Sequence, residues 1–191
     1  MADTKEERLV SLQTMYIKDV SFEAPNSPGV FLEEEVLPET KINLANTHDK
    51  IGDDSYDVCL KVRVESTYND KTIFVAEVEQ AGVFVIRGYT EDEVKGLIAV
   101  FCPNTLFPYI RELVSSLVTK AGFPALLLQP INFEALYAQA IEEAENTKVD
   151  ISSKKGDHIG PVVSKIQYDK IQNLIQSGID EGANLVAGGL N

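Results

Sequence analysis

The sequence predicts an α+β protein in which an antiparallel sheet is built first and helices follow it. Three observations carry that prediction. Residues 12–87 alternate apolar and polar side chains in runs divided by turn residues. From Thr90 onward, apolar residues recur at helical spacing. The two patterns never interleave as βαβ units would require, so the strands pair with one another before any helix covers them.

Leu12–Glu23 reads as a strand with apolar groups on both faces, Tyr16, Val20 and Phe22 on one side and Met15 and Ile17 on the other. Two surfaces would then need covering. Ala24-Pro-Asn-Ser-Pro-Gly29 is turn chemistry, because proline fixes φ and glycine permits positive φ. Val30-Phe-Leu32 and a solvated run, Glu33-Glu-Glu35, lead to a short strand candidate, Lys41-Ile-Asn-Leu44. Tyr56–Glu65 is the clearest strand: Tyr56, Val58, Leu60, Val62 and Val64 share one face, and Asp57, Lys61, Arg63 and Glu65 the other. One dry and one wet face mark an antiparallel sheet. Asn69-Asp70 is a turn, Thr72–Glu79 returns, and Ala81-Gly82 predicts a bulge or kink before Val83–Ile86 resumes. That makes about four strands.

Thr90 and Glu93 have the spacing of a capping box, with Val94, Leu97, Ile98 and Phe101 on one helical face beyond it. Pro103 is expected to stop or kink this helix at Phe101-Cys-Pro-Asn104. The period restarts with Tyr109, Ile110, Leu113, Val114, Leu117 and Val118, and Gly122-Phe-Pro124 ends it. Asn132 is placed to cap a further helix from Phe133 to about Glu145. Asn146–Gly160 reads as a linker, Val162–Gly178 as a helix, and Leu185–Gly189 as the start of a strand. One helix and half a strand cannot bury a core alone.

With 191 residues, 44% apolar and 25% charged, the chain is sized for one domain, or one plus a tail. No stretch approaches the roughly 20 uninterrupted apolar residues of a membrane span. The polar start, Met1-Ala-Asp-Thr-Lys-Glu-Glu-Arg8, lacks the apolar segment of a secretory signal, and two cysteines make no disulfide scaffold. A soluble cytoplasmic protein is expected. Residues 1–150 hold 26 of the 30 carboxylates and 13 of the 17 Lys and Arg, and so carry the whole net charge of −13. Such a surface repels nucleic acid and suits a basic partner, or simply aids solubility.

No catalytic constellation is visible. His48 and His158 lie beside Asp49 and Asp157 in loop-like sequence, and no His or Cys spacing suits a metal. Nothing local to Cys59 would lower a thiol pKa; Cys102, at a helix break before Pro103-Asn104, has a more suggestive setting, but packing is the preferred reading of both. There is no phosphate-binding glycine loop and no nucleophile elbow. No cofactor is expected. An acidic domain with surplus apolar faces points to binding.

Six ordered segments sharpen that reading: Tyr16-Ile-Lys-Asp-Val-Ser-Phe-Glu-Ala-Pro-Asn26, Glu77-Val-Glu-Gln-Ala-Gly-Val-Phe84, Phe101-Cys-Pro-Asn104, Leu106-Phe-Pro-Tyr109, Gly122-Phe-Pro124 and Pro130-Ile-Asn-Phe133. From about Leu12 to Glu145 the chain resembles the SecB family of protein-export chaperones. The resemblance implies a four-stranded antiparallel sheet, a long helix and a C-terminal helix, assembled as a homotetramer (a dimer of dimers). It also implies ATP-independent holding of unfolded preproteins, delivery to the translocase ATPase SecA, and no insertion in the membrane. Holding clients of many sequences takes open apolar surface, for which Ile17, Phe22, Phe31, Ile42, Leu44, Phe84, Leu136, Tyr137 and Ile141 are the candidates. In the family, an acidic sheet face meets a short, basic, zinc-bearing tail of SecA. The matching positions here are Asp19, Glu23, Val75 and Glu77, with valine at 75 where leucine is common and Ala81-Gly82 where Gly-Gly is frequent.

Gly156–Gly189 resembles an internal piece of the NAD-dependent aldehyde dehydrogenases, without that family's catalytic cysteine segment, general-base glutamate or dinucleotide-binding domain. The expected organisation is a chaperone domain at 1–147, a linker at 148–160 and a non-functional aldehyde-dehydrogenase-like fragment at 161–191. The alternative is a truncated aldehyde-dehydrogenase-related or fusion protein without activity.

Overall fold

A computed structural model of the chain describes residues 7–33, 36–146 and 165–180. The chain divides into two compact units, residues 1–134 and 135–191. The first holds one sheet of order β1-β4-β3-β2, every neighbouring pair antiparallel. Its strands are β1 (Leu9–Glu23), β2 (Glu39–Lys50), β3 (Ser55–Tyr68) and β4 (Lys71–Arg87). Asn69 and Asp70, both with positive φ, make the two-residue hairpin turn between β3 and β4, a turn whose twist matches that of the strands it joins.

Three strand expectations need correction. β2 extends to Lys50 and includes His48, which is strand and not loop, because its backbone pairs with β3 throughout. Thr72–Glu79 and Val83–Ile86 form one strand, β4, and the irregularity expected at Ala81-Gly82 lies instead on β1, between Leu12 and Thr14 and between Ile17 and Asp19. Each bulge inverts the strand's phase. Consequently Met15, Val20 and Phe22 pack on the core, whereas Tyr16 turns to the opposite face and donates to both Asp57 carboxylate oxygens at 3.0 Å.

One face of the sheet is covered by a helix that runs from Glu91 to Lys120. It comprises α1 (Glu91–Gly96), a π turn (Leu97–Phe101) and α2 (Cys102–Lys120). Thr90 and Glu93 form the capping box: Glu93 N donates to Thr90 Oγ1 at 3.4 Å and Thr90 N to Glu93 Oε2 at 2.9 Å. The helix does not stop at Pro103. Cys102 N donates to Leu97 O, and this widened turn brings the chain to a proline that has no N–H to give. The turn also shifts the helical phase, so Ile98 is buried while Phe101 is exposed. At the other end Phe123 N donates to Val118 O and Gly122 N to Thr119 O, with Gly122 at φ +91°. That is a Schellman stop, which favours a glycine.

The core is the contact between Val58, Leu60, Val62 and Val64 of β3, Val78 and Phe84 of β4, and Leu106, Ile110 and Val114 of α2, all essentially inaccessible to solvent. Burying each large side chain contributes about 1.5–3 kcal/mol. By length and hydropathy Glu91–Lys120 could cross a membrane, yet its apolar stripe is spent on the sheet.

α3 (Phe133–Asn146) begins in the first unit, where Phe133 is buried edge-on against Phe107 at 5.8 Å. In the second unit α4 (Lys165–Asp180) carries Tyr168, Ile171, Leu174 and Ile179 exposed. The expected linker 148–160, His158 and the strand start at 185–189 lie outside the described residues.

Candidate functional site

The segment between β1 and β2 crosses one end of the sheet and meets the loop that follows α2. A short 3-10 turn, Gly29–Leu32, presents Phe31 to Phe123, with ring centroids 4.9 Å apart. Phe123 packs on Phe74 at 5.2 Å, and Phe74 stacks on Phe22 at 5.6 Å. This row of four rings, drawn from four distant points in the chain, lines and backs a cleft of about 340 Å³ with Val36, Ile73 and Leu126 in its walls. Ser66 also lines it, and its buried hydroxyl has no hydrogen-bond partner among the described residues.

The cleft reaches the start of β2. Thr40 lines it, and Ile42 and Leu44 follow on the same strand face, opposite Val64 and Val62. Those two partners are buried beneath α2, whereas every residue of β2 is exposed, because the helix covers the centre of the sheet and not this edge. Of the predicted client-binding residues, Phe31 (48% accessible) lines the cleft, and Ile42 (42%) and Leu44 (36%) lie exposed on the strand that leads away from it. Leu32, Leu37 and Leu127 expose more apolar area and were missed by the sequence reading. Leu37 and Leu127 sit in irregular segments without periodicity, and Leu32 had only its neighbour Phe31 to mark it.

The remaining candidates divide. Phe84 is a correction: its accessibility is 0%, since it faces the covering helix from the last part of β4 and meets Phe101 edge-on. Phe22 is half-buried behind the cleft. Ile17 is exposed, but on β1, with β4 and β3 between it and Ile42. Leu136, Tyr137 and Ile141 lie on α3 in the second unit, Leu136 exposed and the other two half-buried.

The opposite face of the sheet is charged. Asp19, Ser21 and Glu23 of β1 stand across from Glu79, Glu77 and Val75 of β4, which in turn stand across from Lys61, Arg63 and Glu65 of β3. All four residues matched to partner contact, Asp19, Glu23, Val75 and Glu77, thus fall on one surface. Arg63 donates to Glu77 Oε1, and Lys61 bridges Glu77 at 3.0 Å and Glu79 at 2.9 Å. Hydrogen bonds from Arg63 and then Lys61 hold the Glu77 carboxyl below its ordinary value. The hydrogen bonds that Lys61 donates to Glu79 and to Glu77 hold its ammonium above its own ordinary value.

Neither cysteine is set up as a nucleophile. Burial pushes the Cys102 thiol up to about 12, and burial followed by the charge of Glu79 raises Cys59, so neither favours a thiolate. Among the described residues no cluster of three or more His, Cys, Asp or Glu could hold a metal.

The comparisons with known proteins agree with this fold. The family model described as Preprotein translocase subunit SecB matches residues 3–144, and that of the Aldehyde dehydrogenase family matches residues 125–191. The Protein-export protein SecB of Nitrosococcus oceani is 45% identical over 137 residues, covering 71% of this chain and 84% of that protein. That of Hydrogenovibrio crunogenus is 44% identical over 149 residues, covering 78% and 99%. A solved SecB-like chaperone of Mycobacterium tuberculosis, in complex with a ChAD peptide from an antitoxin, shares the fold with a TM-score of 0.55 at 18% identity, over 64% of this chain and 90% of the other. With three quarters of its length matched in this way, the chain belongs to the SecB family of protein-export chaperones.

Proposed function

We propose that the protein is an ATP-independent holdase that binds unfolded preproteins along the Phe31–Ile42–Leu44 surface and passes them to SecA through the charged sheet face. The open apolar cleft, in a member of this family, is the observation that carries the reading. A chaperone that binds the unfolded chain and not the native one keeps it unfolded by mass action, with no need of nucleotide. Aromatic and aliphatic walls with few hydrogen-bonding groups accept many sequences. Asp19, Glu23, Val75 and Glu77 form the SecA-contact patch, where complementary charge speeds encounter with a basic tail and selects it. Ile17 on β1 and Leu136, Tyr137 and Ile141 on α3 are further client contacts, each on its own element, and the protein acts as a cytoplasmic homotetramer, a dimer of dimers.

In this reading residues 1–147 are the chaperone domain, 148–160 a linker and 161–191 an aldehyde-dehydrogenase-like fragment without activity. The match of residues 125–191 favours, as the second reading, a fusion product related to those enzymes. One assay separates the two: refolding of a denatured preprotein with and without the purified protein, no ATP present, beside NADH formation from NAD and aldehydes. The holdase reading expects arrested refolding and no NADH; unimpeded refolding overturns it. Asp19→Arg with Glu77→Lys abolishes SecA binding and leaves client holding intact if the two surfaces are separate, and loss of both functions contradicts the division.

A further inference from the structure

The charged sheet face is not simply an acidic patch. Its central carboxylate, Glu77, is already occupied by two cations of its own chain, Arg63 directly across the β3–β4 pair and Lys61 on the diagonal. Arg63 also reaches Glu65 at 3.8 Å, and Lys61 reaches Glu79, so three carboxylates and two cations form a closed ladder. Asp19 and Glu23, on the neighbouring strand, enter no ion pair among the described residues. The face therefore offers two carboxylates outside any ion pair among the described residues, of which Glu23 feels the charge of Arg63, beside a ladder whose three carboxylates outnumber its two cations by one.

We propose that Arg63 is an intramolecular competitor for the basic segment that docks on this face: it occupies the carboxylate that the incoming cations would take, and so limits how tightly the face binds. The inference rests on the reading of this face as the SecA-contact surface. A guanidinium presents a planar fork to a carboxylate, which a flexible lysine of the partner cannot match donor for donor. Arg63 also places a positive charge within reach of every cation that approaches Glu77. Two unit charges about 7 Å apart in water interact enough to change an equilibrium about threefold, and more where the docked partner excludes water. Removing Arg63 thus removes a repulsion and frees an acceptor together.

The test is the affinity of the zinc-loaded basic C-terminal segment of SecA for the full-length protein, by calorimetry in about 0.1 M salt, where the Debye length is about 10 Å. Arg63→Gln is expected to bind the segment about twofold more tightly than the parent at this salt, with the gain growing toward about threefold as salt is lowered and shrinking as it is raised. Lys61→Gln, which takes the other cation from the same carboxylate, provides a second route to the gain. Lys50→Gln makes the same charge change on exposed β2, opposite Tyr56, about 23 Å along the sheet from Arg63, and leaves affinity unchanged. In the double variant Arg63→Gln, Glu77→Gln the acceptor is gone, and most of the gain goes with it. Parent binding that Arg63→Gln does not strengthen overturns the competitor role and leaves the contact surface standing. No binding by the parent or by either variant overturns the contact surface and the competitor together.

Discussion

The ring of Phe31, in the crossing segment between β1 and β2, packs 4.9 Å from that of Phe123, in the loop after α2. This contact joins the two irregular segments that wall the cleft, and it leaves about half of Phe31 open to solvent. Phe31 is thus both a wall of the cleft and part of its exposed lining. Phe84 has no such second role.

Phe31→Ala and Phe84→Ala separate holding from folding. Removing Phe31 is expected to weaken binding of an unfolded reporter about tenfold, as loss of a central aromatic anchor does, with a stability cost near 1 kcal/mol. Removing Phe84 leaves a cavity in the core and costs about 3–5 kcal/mol. Urea unfolding and fluorescence titration check both, and a large stability loss for Phe31→Ala with unchanged binding contradicts the assignment.

Gly82→Ala tests the close approach of β1, β4 and α2. A Cβ at this position lies 2.9 Å from Leu12 Cδ1, 3.1 Å from the Phe84 ring and 3.3 Å from Leu106 Cδ2. Crowding of this kind in a packed core costs about 1–3 kcal/mol. An unchanged midpoint of denaturation contradicts the packing described.

The Glu77 ladder makes stability pH-dependent with a definite sign. The folded-state carboxyl titrates below its ordinary value of 4.5, so its stabilisation is full above that pH and is lost as pH falls through the lowered value. Denaturation of the parent and of Glu77→Gln is expected to differ by no more than about 1 kcal/mol near neutral pH and to converge as acidification protonates the Glu77 carboxyl. A difference that widens on acidification contradicts the ladder.

The sheet was legible because β3 alternates without a break and β4 nearly so, and the capping box was legible because Thr90 and Glu93 are local to one another. β2 was read too short: Ala45-Asn-Thr-His48 carries no alternation, and only pairing with β3 makes it strand. The β1 bulges were placed on the wrong strand, since a glycine shows where a chain comes close and not which partner yields. The ion pair at Arg63 was hidden for a related reason. Counting back from the turn at Asn69-Asp70 sets Arg63 opposite Ala76, and the irregularity between Ser66 and Thr67 moves it to Glu77. The cleft needs Phe22, Phe31, Phe74 and Phe123 brought together from four segments, which no local pattern records.

The central claim is that unfolded chains lie on the Phe31–Ile42 surface and not on the charged face behind it. Site-specific photo-crosslinking tests it most directly, with a crosslinking residue in place of Phe31, Ile42 or Ser21 and a denatured preprotein added without ATP. The account predicts adducts from positions 31 and 42 and none from position 21. Adducts from position 21 alone, or from none of the three, would contradict it.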